Sequence, residues 1–329
     1  MDAQELLQRY ESGQRDFQGI NLMGANLASA NLSDINLTDA YLGAVDLSRA
    51  NLHGADLSRA FLFRANLSTA KVNAANLTET DLTKANLKGA EFIKANLTNA
   101  KLSGACLSYV NLRQANLQGV NLCGANLQEI NFRGANLQNV NFSWANLSGA
   151  RLSGANLRGA NLNGIKLCEA FMNGVDLQGA DLDGVDLSEA KLSGANLNDA
   201  ILTVANLSYS QLRTSMLSRA NLQAANLEGS NMMRVGLVEA NLSKANLADT
   251  NLQEADLTGA TLNQADLAGA RLQLASLRNA YLWGANFTVL GLEGANLAGA
   301  NFRGARQDGV QWHQALLAKT TLPDGKVTA

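Results

Sequence analysis

A strict five-residue period runs through most of this chain and restricts what the chain can fold into. Every fifth residue from Phe17 to Phe302 gives 58 positions without an insertion, of which 49 are Leu and the rest are Phe, Met or Val. An α-helix needs apolar residues three and four apart, and a strand needs alternation, so neither keeps these side chains on one face. The period therefore excludes an ordinary helix or strand between Phe17 and Phe302.

The residues around each Leu-type position, here called the centre of its repeat, are equally regular. The residue two before the centre, the corner position, is Ala in 40 of the 58 repeats. The residue just before the centre is Asn or Asp in 39 of them. Asn and Asp tolerate turn conformations and bond to nearby backbone, and a small corner residue lets neighbouring walls approach. The repeat predicts a chain that turns every five residues and keeps each centre pointing inward.

Four such corners close a coil of 20 residues, so the 58 repeats correspond to 14.5 coils. Coils stacked at about 4.8 Å would form a rod roughly 70 Å long. A single repeat cannot fold alone, because its buried Leu contributes about 1.5–3 kcal/mol while each of its five residues costs about 1–2 kcal/mol to order. Stability must therefore come from the contacts and hydrogen bonds between stacked coils.

The pattern Ala-(Asn/Asp)-Leu-x-x, as at 25–27 and 55–57, resembles the pentapeptide repeat family. The opening segment from Leu6 to Gly19 is similar to that of bacterial, especially cyanobacterial, members. The resemblance implies an all-β fold, a right-handed quadrilateral β-helix of about 14 coils. The handedness comes from the resemblance alone.

Both ends of a stacked β-helix need cover, because open ends can polymerise. We expect an N-terminal cap over 1–14, the repeat β-helix over 15–305 and a C-terminal cap and tail over 306–329. Residues 2–12 are predicted to form a short amphipathic helix over the first coil. At the other end the register fails at Gln307 and resumes weakly at Trp312.

One local anomaly falls near the C-terminal end of the repeats. Leu290 occupies a corner position that is usually Ala, and Gly291 follows where Asn is expected. We expect a distorted or widened coil at 286–295.

A coil of 20 residues also assigns outward side chains to four faces, named here by their first centres: Phe17 (first), Leu22 (second), Leu27 (third) and Leu32 (fourth). Between residues 16 and 304 the fourth face has nine Lys or Arg and four acidic residues, a net charge of +5. This predicts either a site for an acidic partner or nucleic acid, or a solvated face that repels self-association. Phe171 is the one aromatic residue there, which disfavours a nucleic-acid groove. The candidate basic stripe consists of Lys71, Lys94, Arg113, Arg133, Arg151, Lys191, Arg213, Arg234 and Arg271.

The second face has six of the nine outward aromatic residues of the repeats. Exposed aromatic clusters often mark interfaces, so this face is a candidate surface for a protein partner or a homodimer. Alternatively, the caps cover the clusters at its two ends. Tyr41 lies one coil from Phe61, and we expect the two to touch. The candidate interaction residues are Tyr41, Phe61, Phe63, Trp144, Tyr281 and Trp283.

The Asn/Asp rule fails at 19 repeats, and 14 of these failures lie on the second and fourth faces. Two explanations remain open. Either these faces are where the protein is individualised for a partner, or they use a different turn type that does not require Asn.

Residue types that carry catalysis or bind metals are sparse. The two histidines, His53 and His313, have no ligand or triad partner at useful spacing, and the three cysteines form no C-x-x-C pair. We therefore expect no catalytic residues, no cofactor and no metal. No signal-peptide pattern opens the sequence and no apolar run approaches the roughly 20 residues of a membrane span, so we expect a cytoplasmic protein.

The sequence thus predicts a non-enzymatic scaffold that presents the flat faces of a rigid rod to an unidentified protein partner. The alternative is a DNA-mimicking topoisomerase (gyrase) binder, as in the quinolone-resistance members of the family that the chain resembles. The basic fourth face argues against mimicry by the whole rod, although the first and third faces are acidic, with net charges of −4 and −5.

Overall fold

The computed structural model describes residues 1–289 and 291–329. The chain divides into two compact units, Met1–Lys166 (unit 1) and Leu167–Ala329 (unit 2). In each unit a residue pairs in parallel with the residue 20 positions later, as Tyr41 does with Phe61 in unit 1 and Asn226 with Asn246 in unit 2. A turn follows each of these bridge residues, so a coil has four walls and the fold is a β-helix. Pairing takes place through single bridge residues, since the chain turns before a longer strand can form.

Repeat 46–50 shows why the residue before the centre is so often Asn or Asp. The N–H groups of Asp46, Leu47 and Arg49 bond to carbonyls of neighbouring coils at 2.7–2.9 Å. The N–H of Ala50 closes the turn on the Leu47 carbonyl at 3.0 Å. The N–H of Ser48 remains, and Oδ1 of Asp46 accepts it at 2.9 Å. The Asn or Asp side chain thus completes the pairing of the five backbone donors in a repeat.

The third residue of the turn has the same conformation on all four faces. It has positive φ in every repeat from Gly19 to Gly284, for example 58° at Arg49. This is typical of a type II turn, which explains why Gly recurs there. The positive φ at this position is common to all four faces, so it does not distinguish the second and fourth faces, where most of the repeats that lack Asn or Asp lie.

The interior of each unit is built from the centres and the corner residues. Centres are buried throughout the described repeats, and most of the Ala corners beside them are buried as well. Where Phe replaces Leu the rings pack together, as Phe132 and Phe142 do edge to face at 6.1 Å. The walls beyond this apolar interior carry the outward side chains.

Helix α1 spans Ala3–Glu11, close to the predicted 2–12. Oδ1 of Asp2 accepts the N–H of Glu5 at 2.9 Å and so caps the first turn. Leu6 is fully buried and Tyr10 nearly so, and the Tyr10 hydroxyl donates to the carbonyl of Ser33 at 2.8 Å. These two side chains fix α1 to the first coils of unit 1.

The C-terminal part of unit 2 keeps the inter-coil pairing beyond residue 305. Parallel bridges continue as far as Asn301 with Thr321, and a short 3-10 helix spans Trp312–Gln314. The Trp312 ring lies 5.1 Å from Phe302 and 5.7 Å from Phe287, measured between centroids. The apolar pattern that breaks at Gln307 therefore resumes at Trp312, which packs on two centres, while the pairing at a separation of 20 continues.

The irregularity expected at 286–295 centres on Leu290, which lies outside the described residues. On either side the described chain departs from the repeat. Residues 288–289 form no turn, and Gly291 has a φ of 87°, larger than at the turn glycines of the repeats.

Candidate interaction surfaces

The second wall of unit 1 presents a cluster of apolar side chains, here called the aromatic patch and defined as Met23, Tyr41, Phe61, Phe63 and Arg64. Phe61 and Phe63 stack with ring centroids 6.0 Å apart and planes 14° apart. The Arg64 guanidinium lies 5.4 Å from the Phe63 centroid, within cation–π range. Met23 and Tyr41 are each more than half exposed. The patch is therefore an apolar surface with a cation at its edge.

Tyr41 and Phe61 are bridge partners, and among the described residues their rings form no stacked or edge-to-face pair. The reason lies at Gly43. A Cβ built there would lie 3.0 Å from Cε1 of Phe61 and 3.2 Å from Cε of Met23. Both side chains thus lie over the backbone of Gly43. Met23 therefore belongs to the patch, although the sequence pattern did not indicate it.

A groove opens beside this patch, between the start of α1 and the first coil of unit 1. It has a volume of about 560 Å³ and is lined by residues 1–3 and 21–25. Met23 belongs both to the groove and to the patch, so the two form one continuous surface.

Trp144, also on the second wall of unit 1, is isolated from the patch. It is 74% exposed, and its ring lies next to Gly164, where a Cβ would come within 2.5 Å of the ring. In unit 2 the remaining two aromatic candidates share one repeat: Tyr281 and Trp283 are each about half exposed. The six aromatic candidates therefore form a close pair, Phe61 with Phe63, and more separate positions.

In unit 1, all five members of the basic stripe are exposed and fall in consecutive coils of the fourth wall. They form no ion pair among the described residues. These five are Lys71, Lys94, Arg113, Arg133 and Arg151.

The four members in unit 2 are less uniform. Arg213 and Arg271 are exposed and Lys191 is half-buried. Arg234 is committed to Glu254 through two hydrogen bonds of 2.8 and 3.1 Å. The unpaired basic side chains are therefore denser in unit 1.

Three ion pairs join neighbouring coils, including that of Arg234 with Glu254, and each lowers the pKa of its carboxyl group. The Arg59 guanidinium, hydrogen-bonded to Asp39, holds the pKa of that carboxyl below its ordinary value. The hydrogen bond from Arg219 does the same to the pKa of Asp199. All four side chains are exposed, so each pair adds little to stability.

The third wall of unit 2 carries an acidic row that sequence reasoning saw only as a net charge. Between residues 167 and 289 this wall has six acidic side chains and no Lys or Arg. None of the six forms an ion pair among the described residues. They are Glu169, Asp186, Glu189, Glu228, Asp249 and Asp266.

In four of the repeats that lack Asn or Asp, an Asn of the preceding coil accepts the turn N–H instead. Oδ1 of Asn73 accepts the N–H of Ile93 at 2.8 Å, and Oδ1 of Asn198 accepts that of Ser218 at 2.8 Å. Asn173 and Asn263 do the same for the repeats of Lys191 and Tyr281. The sequence contains a sign of this arrangement, because each such Asn lies 18 residues before the residue that replaces the usual Asn or Asp.

Other types of site receive no support from the part of the chain that the structure describes. No group of three or more His, Cys, Asp or Glu residues there is arranged to hold a metal ion. In the same residues no helix has the length and apolarity to cross a bilayer.

The profile of the family described as "Pentapeptide repeats (8 copies)" matches the chain in overlapping stretches that together cover residues 14–68 and 75–306. Among curated proteins, none matches the chain.

Solved structures of repeat proteins are similar to the chain. HetL, a pentapeptide repeat protein involved in heterocyst differentiation regulation from the cyanobacterium Nostoc, is 29% identical over all of both chains, with a TM-score of 0.25. QnrB1, a plasmid-mediated fluoroquinolone resistance protein, is 17% identical over 65% of this chain and 89% of its own, with a TM-score of 0.36. A pentapeptide repeat protein of the Arabidopsis thaliana thylakoid lumen is 27% identical over 32% of this chain and 69% of its own, with a TM-score of 0.23.

Proposed function

Because the chain belongs to the pentapeptide repeat family, whose members fold as right-handed β-helices, we propose that it is a non-catalytic scaffold for protein–protein interaction. The proposal includes a quadrilateral β-helix of about 14 coils, capped by α1 at one end and by residues 306–329 at the other. It also includes a cytoplasmic location, in keeping with three cysteines that form no disulfide.

The aromatic patch of unit 1 carries the proposal. Interfaces draw most of their binding free energy from a few buried aromatic and Arg side chains, and the patch combines Tyr41, two stacked Phe rings and Arg64. Two of its rings, Tyr41 and Phe61, also occupy positions where the repeat normally has Asn or Asp, so they replace side chains that complete the turn. We propose that a partner's apolar side chain enters beside Phe61 and that a carboxylate of the partner pairs with Arg64.

The test is affinity capture from a bacterial lysate with Phe61→Ser/Phe63→Ser, quantified against the wild-type chain. Tyr109→Ser is the matched control, because Tyr109 is 56% exposed on the third wall of the same unit. Loss of a captured protein with the double variant and its retention with the control support the proposal. An identical set of captured proteins with all three chains contradicts it.

A gyrase-binding DNA mimic is the second candidate, and the acidic row on the third wall of unit 2 favours it. Unit 2 has 16 acidic and 11 basic residues, a net charge of −5, whereas unit 1 has a net charge of +3. Mimicry would therefore be confined to unit 2. A supercoiling assay tests this: inhibition or quinolone protection that disappears with Glu228→Gln/Asp249→Asn supports mimicry, and unchanged supercoiling excludes it.

A further inference from the structure

The fourth wall of unit 1 holds one cation in each of four consecutive coils. Lys94, Arg113, Arg133 and Arg151, here called the basic ladder, lie in repeats whose bridge residues pair in series from residue 91 to residue 151. Glu91 is the one acidic side chain on this wall over those coils. The surroundings are basic as well, because residues 92–166 contain seven Lys or Arg and one acidic residue, a net charge of +6.

The third wall of unit 2 has the opposite character. Its six acidic residues, here called the acidic ladder, fall in five of six consecutive coils between residues 167 and 270. The bridges from Asp186 to Asn206, and onward to Asp266, place five of these coils in direct succession. The Leu167 N–H donates to the Asp186 carbonyl at 3.1 Å and joins the coil of Glu169 to them. Two of the carboxylates, at Asp186 and Asp266, also hold the turn N–H groups of their own repeats. Glu169, Glu189 and Asp249 are exposed at turn positions.

The two ladders share a pitch because both are built on the coil repeat, with about 4.8 Å between successive coils. Because the coil at residues 206–209 has no carboxylate, three of the four cations of the basic ladder can therefore face a carboxylate of the acidic ladder without losing register. Other polyanions do not have this spacing. Duplex DNA carries one charge per about 1.7 Å of its axis, and same-side residues of an extended peptide are about 6.7 Å apart.

We propose that the chain binds a second copy of itself, the basic ladder of unit 1 of one molecule docking on the acidic ladder of unit 2 of another. Charge complementarity and equal pitch select this occupant. The contact is heterologous, because a molecule offers a different surface to each neighbour. This extends the proposed interaction role but uses neither the aromatic patch nor an outside partner, so either proposal can fail while the other stands.

The test compares the full-length wild type with two charge-reversal variants by light scattering on a sizing column at 50 and 500 mM NaCl. Arg113→Glu/Arg133→Glu removes the middle of the basic ladder, and Glu189→Lys/Asp249→Lys removes part of the acidic one. Lys already occurs with positive φ at the same turn position, for instance at Lys94, so the second variant keeps its turns. Lys84→Glu/Lys101→Glu on the second wall is the control, with the same change in net charge. Circular dichroism melts check that all variants remain folded.

The proposal predicts that the wild type and the control form dimers or larger species at 50 mM NaCl, with affinity about ten-fold lower or weaker still at 500 mM as salt screens the ladders. Each charge-reversal variant alone should be monomeric. Mixed in equal amounts, the two variants should form a heterodimer, because one keeps an intact acidic ladder and the other an intact basic ladder.

Three results would overturn the proposal. These are a wild type that stays monomeric at 50 mM NaCl up to 200 µM, self-association that survives both reversals, and variants that do not associate when mixed. A fluorescent 20-nucleotide single strand is titrated in parallel. Binding that depends on Arg113 and Arg133 in a chain that does not self-associate assigns the ladder to nucleic acid and also overturns it.

Discussion

The interior of unit 2 contains two buried hydroxyl groups that the fold does not need. Ser210 and Ser230 occupy corner positions in adjacent coils, are 0% and 1% exposed, and their Oγ atoms have no hydrogen-bond partner. Ala190, one coil before Ser210, and Ala270, two coils after Ser230, are buried corner residues of the same column, so the fold accepts Ala at this position. An unsatisfied buried hydroxyl costs about 1–3 kcal/mol. Each Ser→Ala substitution should therefore raise the free energy of unfolding by about that amount.

Ser215 provides the matched control for this prediction. It is an equally buried corner residue, but its Oγ donates to the Leu212 carbonyl at 2.5 Å. Ser215→Ala removes a made hydrogen bond and should lower the free energy of unfolding by about 0.5–1.5 kcal/mol. Urea unfolding followed by circular dichroism gives both values. If Ser210→Ala is as destabilising as Ser215→Ala, its hydroxyl is bonded in solution and the reasoning is refuted.

Three further perturbations test the fold. Asn198→Ala should lower the free energy of unfolding by about 0.5–1.5 kcal/mol, because it leaves the Ser218 N–H without an acceptor. In a Met216→Asn background the usual acceptor is restored, and the same substitution should cost almost nothing. Thermal melts of the wild type, the two single variants and the double variant measure the difference. Burial raises the pKa of Asp56, but the hydrogen bonds that its carboxylate accepts from Ser58 and Asn76 together lower that pKa below 3.8. The ionised Asp56 therefore stabilises the folded state above its unfolded pKa. This contribution is lost as pH falls through the lower folded value, and Asp56→Asn should flatten acid unfolding below about pH 4. Leu6→Ala should cost about 2–5 kcal/mol locally and speed hydrogen exchange in α1, leaving exchange in later coils unchanged; equal speeding everywhere would contradict a local role.

The interior and the coil repeat could be predicted because sequence spacing alone determines them. A centre every five residues forces a turn every five residues, and the pairing at a separation of 20 follows when four walls close. The helix near the N-terminus could be predicted as well, since Leu6 and Tyr10 share one helical face and Asp2 can cap the first turn.

The details of the surface were harder to predict from the sequence, because they depend on the directions in which side chains point across neighbouring coils. Tyr41 and Phe61 are in register, yet the absence of a side chain at Gly43 lets Phe61 and Met23 lie over that backbone. The repair of the Ser218 N–H by Asn198 likewise depends on a side chain reaching into the next coil. In both cases the relevant partner is about 20 residues away, and a search at that separation would have found it.

The central claim is that the repeat builds the fold and that departures from it carry the function. Its most direct test is a chain whose aromatic patch is returned to the repeat by Met23→Ser, Tyr41→Asn, Phe61→Asn and Phe63→Ser. Quantitative partner capture is measured together with the unfolding midpoint. We predict loss of the captured partner with an equal or higher midpoint, because the new Asn residues at 41 and 61 accept the turn N–H groups, at about 0.5–1.5 kcal/mol each. Undiminished capture by the reverted chain would contradict the claim.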